Sequence, residues 1–118
     1  MSPDNATSPV IAGIDGSATA LHAAQWAADE AVARNIPLRL VYVTRPKHAS
    51  TDDYNEDIHH GRAALEDACA AIKARDTAPD VDTAIVGGPP GAELIALSSQ
   101  AAMVCVGSVG IGRYARSI

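Results

Sequence analysis

Two stretches of this chain have the residue types and spacing for chemistry. The apolar run Met103-Val104-Cys105-Val106 empties into Gly107-Ser108-Val109-Gly110-Ile111-Gly112-Arg113, and Pro9-Val10-Ile11-Ala12-Gly13-Ile14 closes on Asp15-Gly16-Ser17. Glycines let a backbone turn freely and bring its N–H groups close to a ligand. A concavity of such N–H groups suits an anion, phosphate above all, and Arg113 and Arg116 would flank it. Asp15, at a strand end, has two suitable roles. It would hold Mg²⁺ beside phosphates, since hard cations prefer oxygen ligands, or it would cap its own turn. The glycine run likewise suits a plain strand-to-helix turn, and the two arginines a solvated helix start.

Other chemistries find less support. The glycine loop is not a Walker A loop, because no Gly-Lys-Ser/Thr follows. It is not the dinucleotide fingerprint either, since the spacing is G-x-x-G-x-G and it follows the last strand. His22, His48, His59 and His60 do not converge, and adjacent His59-His60 lack the i, i+4 spacing of a zinc pair. A solvated helix surface is their expected place. Ser98 and Ser99 have no neighbouring base with elbow geometry, and nothing resembles a paired acid and base for hydrolysis. Trp26 is expected on the sheet or its rim.

The chain has 118 residues, 47% of them hydrophobic and 19% charged, which describes one globular unit with a real core. Aromatic residues are 3% with no Phe, so the core is Ala, Val, Leu and Ile, and stacking on single-stranded bases is disfavoured. A net charge of −5 argues against general attraction to nucleic acid or anionic membrane. No run of about twenty apolar residues marks a membrane span, and Met1 to Ser8 lack the pattern of a secretory signal. Cys69 and Cys105 lie in apolar periodic segments, so free buried thiols and a reducing cytoplasm are expected.

The elements that must position these residues can be read from periodicity. Strands are expected over Pro9–Asp15, Leu38–Val43, Val81–Val86 and Met103–Val106. Leu21, Ala24, Ala28, Ala31 and Val32 recur at helical spacing behind a Ser17 or Thr19 cap, and Asn35-Ile36-Pro37 stops that helix. Ile58, Leu65, Cys69 and Ile72 mark a second helix, whose acidic start (Asp53, Glu56, Asp57) and basic end (Lys73, Arg75) suit its dipole. A short third helix is expected on Leu94, Leu97, Ser98 and Ala101, after Gly87-Gly88-Pro89-Pro90-Gly91. The order βαβαβαβ with apolar strands predicts an α/β fold, a parallel open sheet covered on both faces. Ligands of such sheets lie beyond the strands' carboxyl ends, where strand order reverses.

With those motifs in order, the chain resembles the universal stress protein family. Val10-Ile11-Ala12-Gly13-Ile14-Asp15-Gly16-Ser17 is similar to its opening, Ala23 to Ala31 to its first helix, and Pro37 to Val43 to its second strand. Gly88-Pro89-Pro90-Gly91-Ala92-Glu93-Leu94-Ile95 and Ala101 to Ser108 resemble its later landmarks. The resemblance is closest to the N-terminal domain of actinobacterial tandem-domain members. It implies a Rossmann-like three-layer sandwich of the adenine nucleotide alpha hydrolase type, formed by one domain over residues 1–118. That domain would be C-terminally incomplete, truncated before the family's last helix and fifth strand, which would leave strand four as an edge.

The resemblance further implies ATP with Mg²⁺ as ligands, held through Gly13, Asp15 and Val43, the last touching adenine or ribose. Gly107, Ser108, Val109, Gly110, Ile111, Gly112 and Arg113 would take ribose and phosphates. Gly107 and Gly110 match the first two glycines of the family loop G-x2-G-x9-G-[ST], and the third would fall beyond Ile118. It implies a cytoplasmic stress-response module that acts by nucleotide occupancy, with at most slow hydrolysis, partnered by a second copy or a second tandem domain. An interaction module of the same fold that binds no ATP is the alternative. A PP-loop adenylating enzyme would want S-G-G-x-D-S where Gly13 to Ser17 stand. A response-regulator receiver would want an acidic cluster at the first strand and a lysine after the last.

Overall fold

The computed structural model describes residues 8–87, 96–108 and 112–117, with Ser108 and the last segment described through their backbone. Elements follow as β1 (Val10–Gly13), α1 (Ala18–Arg34), β2 (Leu38–Val43), α2 (Thr51–Lys73), β3 (Val81–Val86), β4 (Met103–Ser108) and β5 (Gly112–Ser117). The third helix expected from Leu94 and the Gly-Pro run before it fall largely outside the described residues, although residues 96–98 are helical.

The helix ends follow local chemistry. Ser17 stays extended and its hydroxyl accepts the Ala20 N–H at 3.1 Å, which satisfies one orphan donor of α1. Asn35 adopts the left-handed conformation at φ 57° and ends the helix before Pro37. Ser50 caps α2 in the same way, accepting the Asp53 N–H.

The sheet order is β3-β2-β1-β4-β5. β1 pairs in parallel with both β2 (Val10↔Leu38) and β4 (Val10↔Met103), and β2 pairs in parallel with β3. Alternation along each strand divides the core in two. On one face Val10, Ala12, Leu38, Leu40, Tyr42, Met103 and Cys105 pack under α1 and α2. On the other, Ile11, Val41 and Val104 form a cluster with Ala101 and Leu97. α1 meets the sheet through Ala20, Ala24, Ala27, Ala28 and Ala31, so small side chains let it lie close. Trp26 does not join that contact. It sits about 100° around the helix from Ala27 and is 46% exposed. The cysteines are free, Cys105 buried and Cys69 half-buried. Burial pushes the Cys105 thiol up to about 11, so it is inert packing.

One expectation is overturned. β4 is not an edge strand: β5 pairs antiparallel along its outer side, from Met103↔Ser117 to Ser108↔Gly112. An uncovered edge strand presents a row of unpaired N–H and C=O groups, and here the chain doubles back to satisfy them. Gly107 and Ser108 therefore belong to β4, and Gly112 and Arg113 to β5, rather than to one continuous loop. Val109, Gly110 and Ile111 lie outside the described residues.

Gly61, in the middle of α2, lies flat against the Tyr42 ring, and a Cβ there would fall inside the ring's van der Waals envelope. Gly61→Ala gains about 1 kcal/mol of helix propensity, but overpacking of this kind costs about 1–3 kcal/mol. The expected result is net destabilisation, seen as a lower urea midpoint at unchanged m-value.

Candidate functional site

Because β1, β2, β3 and β4 run parallel, their carboxyl ends lie along one edge of the sheet. The crossovers leave β1 in one direction toward β2 and β3, and β4 returns on its other side. That is a topological switch point. The two sequence-predicted tips, Asp15 after β1 and Gly107 after Val106, therefore stand side by side at the same end.

Close packing fixes their separation. Gly107 lies against the first turn of α1, where a Cβ would collide with the Thr19 backbone. The capped start of α1 and the end of β4 are thereby in direct contact. Between β1 and α1 the chain turns at Gly16, with φ 88°. Asp15 is exposed, and its Oδ1 accepts the Ser17 N–H at 2.9 Å. Its turn-capping role is thus real. A carboxylate has two accepting oxygens, so capping through Oδ1 is compatible with a cation or hydroxyl at Oδ2. His60 of α2 backs this turn, its Nε2 reaching the Asp15 carbonyl at 3.4 Å. His60 was expected on a solvated surface. It is exposed, but it also supports the tip.

On the face away from α1 and α2, Gly13 stands between Val41, its register partner, and Val106, whose Cγ1 would be 3.5 Å from a Cβ at Gly13. The missing side chain leaves a notch in an otherwise valine-lined row. Val43, two residues past Val41, packs on this same face. Gly13, Asp15, Val43 and Gly107 are thus brought to one edge. The backbones of Ser108, Gly112 and Arg113 adjoin it through the β4–β5 pairing.

Sequence reasoning missed a polar centre beside this edge. Asp57, 5% exposed, lies in the second turn of α2. Its Oδ1 accepts the Tyr42 hydroxyl at 2.5 Å, and its Oδ2 accepts the Arg45 N–H at 2.8 Å. His48 Nε2 lies 2.7 Å from Oδ2, and the Arg45 guanidinium 3.6 Å. A carboxylate can only accept, so His48 donates from Nε2. Burial alone would push the Asp57 carboxyl up. The hydrogen bonds from Tyr42, His48 and the Arg45 N–H, with the Arg45 charge, outweigh it and hold the group well below the usual range. Burial and the same carboxylate push the Tyr42 hydroxyl up to about 12. Asp57 is therefore no solvated charge at a helix start, and His48, its side chain 13% exposed, is no surface histidine. Two signals pointed there: a Tyr in a buried strand, whose hydroxyl needs a partner, and a glycine inside a helix.

The fold and its switch point define a doubly wound α/β protein with a candidate site between the ends of β1 and β4. The profile of the universal stress protein family matches residues 7–118. A universal stress protein of Mycobacterium tuberculosis is 50% identical over 109 residues, which is 92% of this chain and 40% of that protein. The chain belongs to the universal stress protein family, and it spans less than half the length of such relatives. Among solved structures, a universal stress protein from Archaeoglobus fulgidus aligns with TM-score 0.68 at 22% identity, covering 83% of this chain and 74% of that one. Another, a universal stress protein in complex with cAMP, aligns with TM-score 0.56 at 29% identity, covering 79% and 65%.

The polar centre has a signed pH signature. A lowered carboxyl stabilises the fold above the ordinary carboxylate pKa of about 4, and that contribution is lost as pH falls toward the folded value. A raised tyrosine stabilises below about 10 and loses its contribution as pH climbs to about 12. In urea titrations across pH, Asp57→Asn should flatten the acid limb relative to the parent chain, and Tyr42→Phe the alkaline limb.

Proposed function

We propose that this chain is an adenine-nucleotide-binding module of a stress-response protein, which acts through occupancy of the edge between β1 and β4. The observation that carries this reading is the meeting of the Asp15 turn and the end of β4 at the switch point, beside the notch at Gly13. The cAMP complex of a family member at 29% identity supports the ligand class. In this reading Val43 and Gly13 take the adenine and ribose, the latter because no side chain fills the notch. Gly107, Ser108, Val109, Gly110, Ile111, Gly112 and Arg113 are the expected contacts for ribose and phosphates, through those N–H groups that the β4–β5 ladder does not use and through the Arg113 charge.

ATP is the expected nucleotide, with Mg²⁺ shared between its phosphates and Asp15. The donor set suits that division. Among the described residues no group of three His, Cys, Asp or Glu could hold a metal by itself, so phosphate and water oxygens would complete the shell, as Mg²⁺ commonly requires. Hydrolysis is at most slow, and the output is a changed surface read by a second copy or a second domain, in the cytoplasm. Among the described residues no helix is long and apolar enough to cross a membrane.

Calorimetry with Mg-ATP tests this. The parent chain should bind, and Gly13→Val should weaken binding by about tenfold or more by filling the notch. The added Cβ itself meets Val106 Cγ1 at an ordinary contact distance, and a cooperative thermal transition of the variant checks that its γ-methyls are accommodated before affinities are compared. Asp15→Asn preserves the cap on Ser17 and should abolish the dependence of ATP affinity on Mg²⁺. No binding of ATP, AMP or adenosine by the parent chain would leave the interaction-module reading in its place.

A further inference from the structure

The polar centre at Asp57 does more than satisfy a buried tyrosine. Its two oxygens hold groups on both sides of Val43-Thr44: the Tyr42 side chain before them and the Arg45 main-chain N–H after them. His48, further along the same loop, is held by the same Oδ2, and its ring meets Tyr54 edge-on at 5.1 Å. Between those anchors the Thr44 N–H donates to the Val86 carbonyl at 2.9 Å, so the path from Tyr42 to His48 is pinned at four points. Three of the four end on one carboxylate carried by α2. The Tyr42 ring also lies against Gly61 and makes a T-shaped contact with the His60 ring, both on α2. Each partner that leaves takes a donor from a buried carboxylate, which costs more than the loss of a surface contact.

We propose that Asp57 is a positioning residue for the adenosine end of the ligand edge. It fixes the backbone at Val43 and the loop from Thr44 to His48, and so sets affinity for the nucleoside without touching it. The proposal rests on the adenine-nucleotide reading above and adds the residue that tunes it. A carboxylate at this depth is an expensive way to stabilise a fold, because apolar replacements of buried ion pairs are often neutral or stabilising. Its return lies in geometry: three donors from one loop converge on it in a single arrangement.

The test compares the parent chain with Asp57→Asn and His48→Gln, at a temperature where circular dichroism shows all three folded. Calorimetry uses adenosine, Mg-ATP and inorganic tripolyphosphate as probes, and amide exchange follows residues 44–50. Asp57→Asn should weaken adenosine and ATP by the same factor, about tenfold or more, and leave tripolyphosphate unchanged. His48→Gln should act in the same direction by less. Amides of the loop should lose protection while those of α1 keep theirs.

A purely fold-stabilising role would lower the melting temperature and leave affinities of the folded protein intact. Unchanged adenosine affinity in Asp57→Asn overturns the proposal while the nucleotide reading stands. If that variant does not fold, unchanged affinity in His48→Gln does the same. An equal loss for tripolyphosphate also overturns it, because the effect would not be confined to the nucleoside end. A parent chain that binds none of the probes overturns the nucleotide reading, and this proposal with it.

Discussion

The central strand governs this molecule. β1 is hydrogen-bonded in parallel on both sides, to β2 and to β4, and the chain reaches those neighbours by crossovers in opposite directions. A parallel strand cannot be entered from a tight turn, so each crossover must travel back along the sheet. The consequence is that the β1 and β4 carboxyl ends emerge together with no crossover between them to close the gap. An open crevice at the sheet edge follows from connectivity before any particular side chain is considered. What the side chains decide is how narrow that edge is. Gly107 against Thr19, and a helix that meets the sheet through five alanines, bring α1 down onto the end of β4.

Small residues and one expensive charge divide the structural work. Most of the core is aliphatic, packed at short range and tolerant in detail. The exception is the Tyr42–Asp57 pair with its two loop donors, where directional bonds replace shape as the source of precision. An aliphatic core could hold β2 and α2 together equally well. It could not orient the backbone that leaves β2, because dispersion has no preferred direction and a charge-assisted hydrogen bond does. Precision is thus concentrated where the chain leaves β2, not spread through the core.

β5 shows a different constraint. Gly112 to Ser117 mixes small, charged and aromatic residues with no apolar run, so hydrophobic pattern alone does not mark it as a strand. It forms because β4 offers a full row of main-chain partners, and an antiparallel return needs only a short connection. The pairing is made by the backbone, which every sequence possesses.

Resemblance of ordered motifs pointed to the family, and local chemistry along the chain was sufficient for the α/β class, the four parallel strands, a cap at Ser17 or Thr19, the Asn35 cap and the meeting of Asp15 with the end of β4. Those features depend on residues close in sequence, or on connectivity rules that hold for any βαβ series. The position of β5 beside β4, the solvent exposure of Trp26, and the convergence of Tyr42, Arg45, His48 and Asp57 were decided only by the tertiary structure. Each needs partners brought from separate elements: an open strand edge, a helix rotated to present its alanines, a carboxylate lowered onto a loop up to fifteen residues away. Periodicity reports which face of an element is buried. It does not report what waits on the other side, and for a polar group that neighbour determines whether it is a surface charge or the anchor of a site.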